Sequence, residues 1–415
     1  MYFIYSFIYT AAALILFIPQ YLKRPPELRR KWLRDKLGLF DMKFGTRPVW
    51  IHAVSVGEVT ASVTFLNKLK AAYPALPVIL STITDTGQKV AMVNVPAGTE
   101  VVYMPFDIGF ILRRCLDRIR PRLFIVVETE IWPNIFKVAA GSGVPVIMLN
   151  GRLSEKSCRG YALISSFMKK VLGSVKVFGM QSSADAKRME LIGADKARVV
   201  VTGNFKFDMP DQKNIPLWAR DPGGPVIVAG STHAGEEDLI ISAFKENLDR
   251  FPGLKLILAP RHPERFSEVA ELLRQSRIPF IKRTEIDAIK QKGFEDKSII
   301  LLDSIGELSA VYGVADIAVI GKSFLGHGGQ NPLEAALWGK PVICGPYMEN
   351  FPFMKEFYAV GAAFQAGPDG LAGMINNLLT EPEKARHGGS KARECYLKNA
   401  GAVEKSLEII RSYLN

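Results

Sequence analysis

At 415 residues and 48% hydrophobic, the chain exceeds the ~250–300 residues at which a single core usually stops growing, so two domains are expected. Its 53 Lys and Arg against 41 Asp and Glu leave a net charge of +12. No zinc-finger, RRM or helix-turn-helix pattern accompanies that charge, so a membrane or a phosphorylated substrate is a better partner for it than nucleic acid, with a nucleic-acid-binding scaffold as the alternative. Cys115, Cys158, Cys344 and Cys395 lie far apart with no CxxC, so neither a disulfide framework nor a cysteine metal site is indicated.

Residues 1–22, MYFIYSFIYTAAALILFIPQYL, carry no charge, and ~20 apolar helical residues suffice to span a bilayer. A retained anchor is expected; a cleaved signal peptide is the alternative, but it lacks a basic leading region and a small-x-small cleavage pattern. Lys23, Arg24, Arg29, Arg30, Lys31, Arg34 and Lys36 follow, against Glu27 and Asp35. By the positive-inside rule such a flank stays cytoplasmic, and anionic headgroups attract it by about 1 kcal/mol per charge.

Apolar runs then alternate with helical-length segments: PVWIHAVS, LPVILSTIT, TEVVYMPFD, LFIVVETEIWP, VPVIMLNGR and VKVFGMQS. Runs apolar on both faces and separated by helices predict a doubly wound parallel α/β domain over residues 23–210. The segment DMPDQKNIPLWARDPGGP, from Asp208 to Pro225, reads as a linker. PVIVAGST, LKLILAPRHP, SIILLDS, DIAVIGKSF and KPVICGP predict a second such domain over 225–415, helical from about Pro368. Two doubly wound domains facing a cleft hold ligands beyond the carboxyl ends of their strands. Ser55-Val56-Gly57-Glu58, Glu128-Thr129-Glu130, Gly151-Arg152, Pro260-Arg261-His262 and Gly328-Gly329 all follow strand runs.

Among these, Glu58 follows a glycine at a strand-to-helix junction and is a candidate general base, or else an acid serving only the helix dipole. Glu128 and Glu130 alternate at a strand end, which predicts that both point to one face. Lys206, in GNFKFD, is a candidate for stabilising a leaving phosphate or a substrate carboxylate, or else an ordinary surface lysine. In the second domain, the glycines of GHGGQNPLEAALWGKPVICGP either offer backbone N–H groups to a phosphate ahead of a helix starting near Pro332 or form an ordinary Gly-rich turn before a helix whose first-turn acid serves its dipole. Glu334, in its first turn, is placed to accept from ribose hydroxyls. Arg261 suits phosphate or base, and the backbone of Ile305 and Gly306 could read a base edge. The sequence holds no Asp-x-Asp pair, HExxH, GxSxG or Walker A loop, so metal-dependent, hydrolase and NTPase readings find no support.

Taken in order, HAVSVGE, VVETEIWPN, NGRLS, TGNFKFD, GSTHAGEE, PRHPERF, GEL and GGQNPLEAALWGKPV resemble the motifs of the Kdo (3-deoxy-D-manno-octulosonic acid) transferase family of lipopolysaccharide biosynthesis. The resemblance implies a GT-B fold with residues 1–22 as a single-pass anchor in the inner membrane and both domains on the cytoplasmic side. It implies CMP-Kdo as donor, the lipid A precursor lipid IVA as acceptor, inversion at the anomeric carbon, and neither cofactor nor metal. By the same resemblance Glu58 is the general base, and Glu128 and Lys206 stabilise the transition state. Pro260, Arg261, Ile305, Gly306, Glu307, Asn331, Pro332, Leu333 and Glu334 match the family's CMP contacts, which makes 23–210 the acceptor domain and 225–415 the donor domain. Two positions depart from the family pattern: Gly321-Lys322 replaces Gly-Gly, and Gln330 replaces a His.

Overall fold

Runs of Val, Ile and Leu become strands buried on both faces, because a parallel sheet carries helices above and below it. The computed structural model describes residues 1–40, 42, 44–210, 214–289, 294 and 298–414; residues 211–213 of the expected linker lie outside the described residues. The chain divides into two units, Met1–Met209 with Asn399–Asn415, and Pro210–Lys398.

The first unit holds β1 (Val49–His52), β2 (Val78–Thr82), β3 (Thr99–Tyr103), β4 (Leu123–Val127), β5 (Val146–Gly151), β6 (Val175–Met180) and β7 (Val199–Val201). They form one parallel sheet in the order β3-β2-β1-β4-β5-β6-β7. Alternation along the strands splits its core in two. Trp50, Phe124, Val126, Val146 and Met148 face one layer, while Val49, Ile51, Leu123, Ile125, Val127, Ile147 and Leu149 face the other. The second layer is covered by α3 (Val56–Ala72) and by the last helix of the chain, Ala402–Leu414. Ahead of the sheet lie α1 (Tyr2–Leu22) and α2 (Pro26–Lys36); α1 is long and apolar enough to cross a membrane.

The second unit holds β8 (Val226–Thr232), β9 (Lys255–Pro260), β10 (Phe280–Lys282), β11 (Ile299–Leu301), β12 (Ile317–Ile320), β13 (Val342–Cys344) and β14 (Phe364–Gln365). Its order is β10-β11-β9-β8-β12-β13-β14, again all parallel.

Three strands were not among the expected runs: β7, β10 and β14. All three are sheet edges of two or three residues, too short to show a pattern. The expected boundary also shifts. The sequence assigned 225–415 to the second domain, yet Asn399–Asn415 belongs to the first unit. Ala402, Val403, Ile410 and Leu414 bury against Phe65, Leu69 and Phe205 there. Both oxygens of the Asp208 carboxylate fix the start of that helix, one accepting from Gly401 N, the other from Val403 N at 2.7 Å.

Candidate functional site

Each sheet divides between its earlier and later strands at one reversal point, between β1 and β4 in the first unit and between β8 and β12 in the second, where β11 is also inserted between β9 and β10. The crevice beyond the strand ends at such a point is where doubly wound folds bind ligands.

In the first unit, Glu58 sits in the first turn of α3, just past β1. Its Oε2 accepts from the Val54 N–H at 2.7 Å and its Oε1 from the Ser55 hydroxyl at 3.0 Å, so the carboxyl is held against the β1–α3 turn. Burial pushes its pKa up to about 7; the Glu128 and Glu130 carboxylates add to that, while Val54 N–H and the Ser55 hydroxyl oppose it. Across the reversal, β4 ends at Val127, and Glu128 takes a left-handed backbone with φ 58°. The expected alternation of Glu128 and Glu130 along an extended strand therefore fails, because the chain turns at Glu128. A side chain in that region carries a steric cost that the surroundings must overcome. Burial raises the Glu128 carboxyl, opposed by the Lys206 and Arg152 cations. Burial in turn lowers Lys206, with Glu128 opposing and Arg152 adding to the shift. Glu130 is the structural member: it accepts from Trp132 Nε1 at 3.0 Å. Three carboxyls and two cations thus share one end of the first sheet. Arg152 carried no individual role in the sequence reading; its only signal was its place after β5 in the NGRLS motif.

In the second unit, Pro260 ends β9 and Arg261 follows it, exposed, with its N–H donating to Thr232 O at 3.0 Å. Glu237 supports that turn from below, accepting from Thr232 Oγ1 at 2.8 Å and from both terminal nitrogens of Arg265. Ile305 is 81% exposed and Gly306 has φ 90°, so the backbone after β11 stands open to solvent. The Glu307 carboxylate is already engaged by Trp218 Nε1 at 3.0 Å, Arg283 Nε at 3.1 Å and the Ser304 hydroxyl. Its carboxylate therefore orders the loop. Pro332 and Leu333 are buried, and Asn331 Oδ1 accepts from the Leu333 N–H at 3.2 Å to open a helix over Leu333–Leu337. In its first turn Glu334 is pushed up to about 7 by burial, opposed by the Arg261 cation and the hydrogen bond from Asn331.

The expected phosphate cradle is corrected at two amides. Gly328 N–H donates to Glu349 Oε2 at 2.8 Å and Gly329 N–H to Lys322 O at 3.1 Å, so both are consumed within the loop. The residue that organises the reversal point is Glu236. Its carboxylate accepts from His233 N, Lys322 N and Phe324 N at 3.1, 2.6 and 3.0 Å, tying the turn after β8 to the turn after β12. Those turns approach closely: a Cβ on Gly321 would lie 2.3 Å from Ser231 O. Lys322 adopts φ 56°, the conformation that a glycine would take freely. Glu236 carried no individual role in the sequence; its only signal was its place in the GSTHAGEE motif. Among the described residues no three His, Cys, Asp or Glu are grouped to hold a metal ion.

Comparison with known proteins follows the same lines. Residues 31–209 match the family model of 3-deoxy-D-manno-octulosonic-acid transferase (kdotransferase). The 3-deoxy-D-manno-octulosonic acid transferase of Haemophilus influenzae is 32% identical over 99% of both chains. That of Bordetella pertussis is 32% identical over 88% of this chain and 87% of its own. In fold, a UDP-GlcNAc 2-epimerase from Neisseria meningitidis superposes with a TM-score of 0.56 at 12% identity, covering 88% of this chain and all of that one. The fold is of the GT-B type, two Rossmann-like units, and with relatives matched along nearly its whole length the chain belongs to the 3-deoxy-D-manno-octulosonic acid transferases, a family of glycosyltransferases.

Proposed function

We propose that this chain transfers Kdo from CMP-Kdo to lipid IVA in building the inner core of lipopolysaccharide. The transfer takes place at the cytoplasmic face of the inner membrane, to which α1 and its basic flank hold the protein. Glu58 is the general base, and the observation that carries the reading is its placement: a buried carboxyl held by Val54 N–H and the Ser55 hydroxyl at a sheet's reversal point, where burial pushes its pKa up to about 7. A base with a pKa near the working pH is ionised in about half of the molecules and, in that form, accepts a proton effectively. Its carboxylate takes the proton of the attacking acceptor hydroxyl, and the new bond to the anomeric carbon forms as the bond to CMP breaks. One base without a partner nucleophile suits a single displacement, hence inversion. A phosphate leaves without needing a general acid, so cations suffice, and Lys206 and Arg152 beside Glu128 supply them. No metal enters this scheme. CMP is held by the second unit, with Glu334 on the ribose, Arg261 near phosphate or base, and the open backbone of Ile305 and Gly306 against the base edge.

The test is direct. Purified protein incubated with lipid IVA and freshly generated CMP-Kdo is expected to yield, by mass spectrometry, lipid IVA heavier by whole Kdo units. An unchanged acceptor mass alongside a product from another nucleotide sugar would replace the donor assignment.

A further inference from the structure

The 21 residues of α1 make a rod about 30 Å long, enough to cross a bilayer, so its length alone leaves its orientation open. Its packing does not. Tyr2, Tyr5, Tyr9, Ala13, Phe17 and Tyr21 recur at three- and four-residue spacing and pack on the first unit. At one end Tyr5 donates to Asp107 at 2.8 Å and Ser6 to Asn134 at 3.1 Å. Asp107 is itself buried and also accepts from Asn134 N and Ile135 N, so the phenol completes a buried cluster. Tyr9 meets Trp132 edge-on at 6.0 Å. At the other end, Phe17 and Tyr21 lie on Trp32, and just past the helix Arg24 stacks on Trp32 at 4.3 Å while pairing with Asp85 at 3.0 Å. Both ends are fastened to the same unit.

The opposite stripe is bare: Phe3, Phe7, Leu14, Ile15, Ile18 and Leu22 are each more than half exposed. Beside it a groove bounded by Ser6 is lined by Phe110, Arg113, Arg114, Arg118 and Lys137, against one acid, Asp117; Lys137 Nζ lies 4.7 Å from the Tyr2 ring. An apolar stripe flanked by cations is complementary to the boundary between acyl chains and anionic headgroups.

We propose that α1 lies in the plane of the membrane rather than crossing it, with its tyrosine stripe on the first unit, its apolar stripe immersed in one leaflet, and Arg113, Arg114 and Lys137 on anionic headgroups. This deepens the membrane side of the proposed function and replaces the single-pass crossing expected from the sequence. A crossing helix would have to strip one end of its partners and leave Asp107 buried without its phenol.

The experiment reads lipid contact, not turnover, so it stands apart from the transferase reading. Phe3→Cys, Leu14→Cys and Leu22→Cys are made in the full chain, whose native cysteines are buried, and labelled with an environment-sensitive fluorophore. They are then bound to phosphatidylcholine–phosphatidylglycerol vesicles carrying shallow or deep nitroxide quenchers. All three labels are expected to be quenched alike, and best by the shallow quencher. A Leu14 label that prefers the deep quencher while the end labels prefer the shallow one marks a crossing helix and overturns the proposal. Labels shielded from both quenchers, as in a second copy of the chain covering the stripe, overturn it as well. Replacing Arg113, Arg114 and Lys137 together by Ala is expected to weaken vesicle binding roughly 100-fold, about tenfold or less per charge. Unchanged affinity for the anionic vesicles removes the headgroup contacts.

Discussion

At the scale of single residues, the proposed chemistry depends on one carboxyl group having a pKa that burial has raised. Glu58→Gln keeps the size and the hydrogen bond from Val54 but cannot take a proton, and general base catalysis typically contributes ~100- to 10,000-fold. Turnover should fall by that order with CMP affinity intact; a variant retaining most of its kcat returns Glu58 to a helix-terminus role and makes Glu128 the next candidate. The pH profile carries a definite sign. The base works ionised, so at saturating donor kcat should rise as pH passes upward through about 7, and that limb should disappear in Glu58→Gln. A wild-type limb centred near the ordinary glutamate range would show that the buried environment is not that of the working enzyme. Glu334→Ala removes the proposed ribose acceptor, and losing a hydrogen bond to a charged group costs about 1.5–3 kcal/mol, roughly tenfold or more in affinity. Calorimetry with CMP checks it, and an unchanged Kd takes Glu334 out of the site. Glu58 was legible because a glycine-preceded acid at a strand-to-helix junction has a fixed place. The turned backbone of Glu128 was not, since a left-handed φ at a non-glycine residue is imposed by neighbours from distant strands.

At the scale of elements, long buried strands announce themselves and short edges do not. β1, β4 and β5 are buried along their whole length, and their apolar runs leave no other reading. β7, exposed or half-exposed along three residues, has no such signal. The last helix, Ala402–Leu414, shows how far element identity and element placement can part: its helical pattern is plain, but its apolar face fits the first unit. Truncation after Lys398 should therefore destabilise the first unit, by about 1.5–3 kcal/mol for each of Val403, Ile410 and Leu414 no longer buried. Hydrogen exchange should quicken in α3 and at Phe205, with β8, β9 and β12 unaffected. Loss of protection in the second sheet instead would contradict the placement of this helix.

At the scale of the whole molecule, the two units have separate cores, and the proposed function gives them separate duties. CMP alone should slow hydrogen exchange at Arg261, around Ile305 and Gly306, and along Leu333–Leu337, leaving the Val54–Glu58 turn unchanged. Protection appearing first at Val54–Glu58 would place the nucleotide in the other unit. By itself, the sequence determined the doubly wound class, most strands of both sheets, the apolar first helix and the family, because burial on two faces and multi-residue motifs are local properties. Only the tertiary structure decided that the chain's last helix returns to the first unit and that α1 is fastened along its length by a tyrosine stripe. The same holds for Gly328 and Gly329, whose amides are spent on Glu349 and Lys322, and for Glu58, Glu128, Lys206 and Arg152, which share one electrostatic neighbourhood. Apart from the short Gly329–Lys322 loop contact, these join residues well separated in the chain, and a contact at that range depends on the packing of whole layers, which no local pattern encodes.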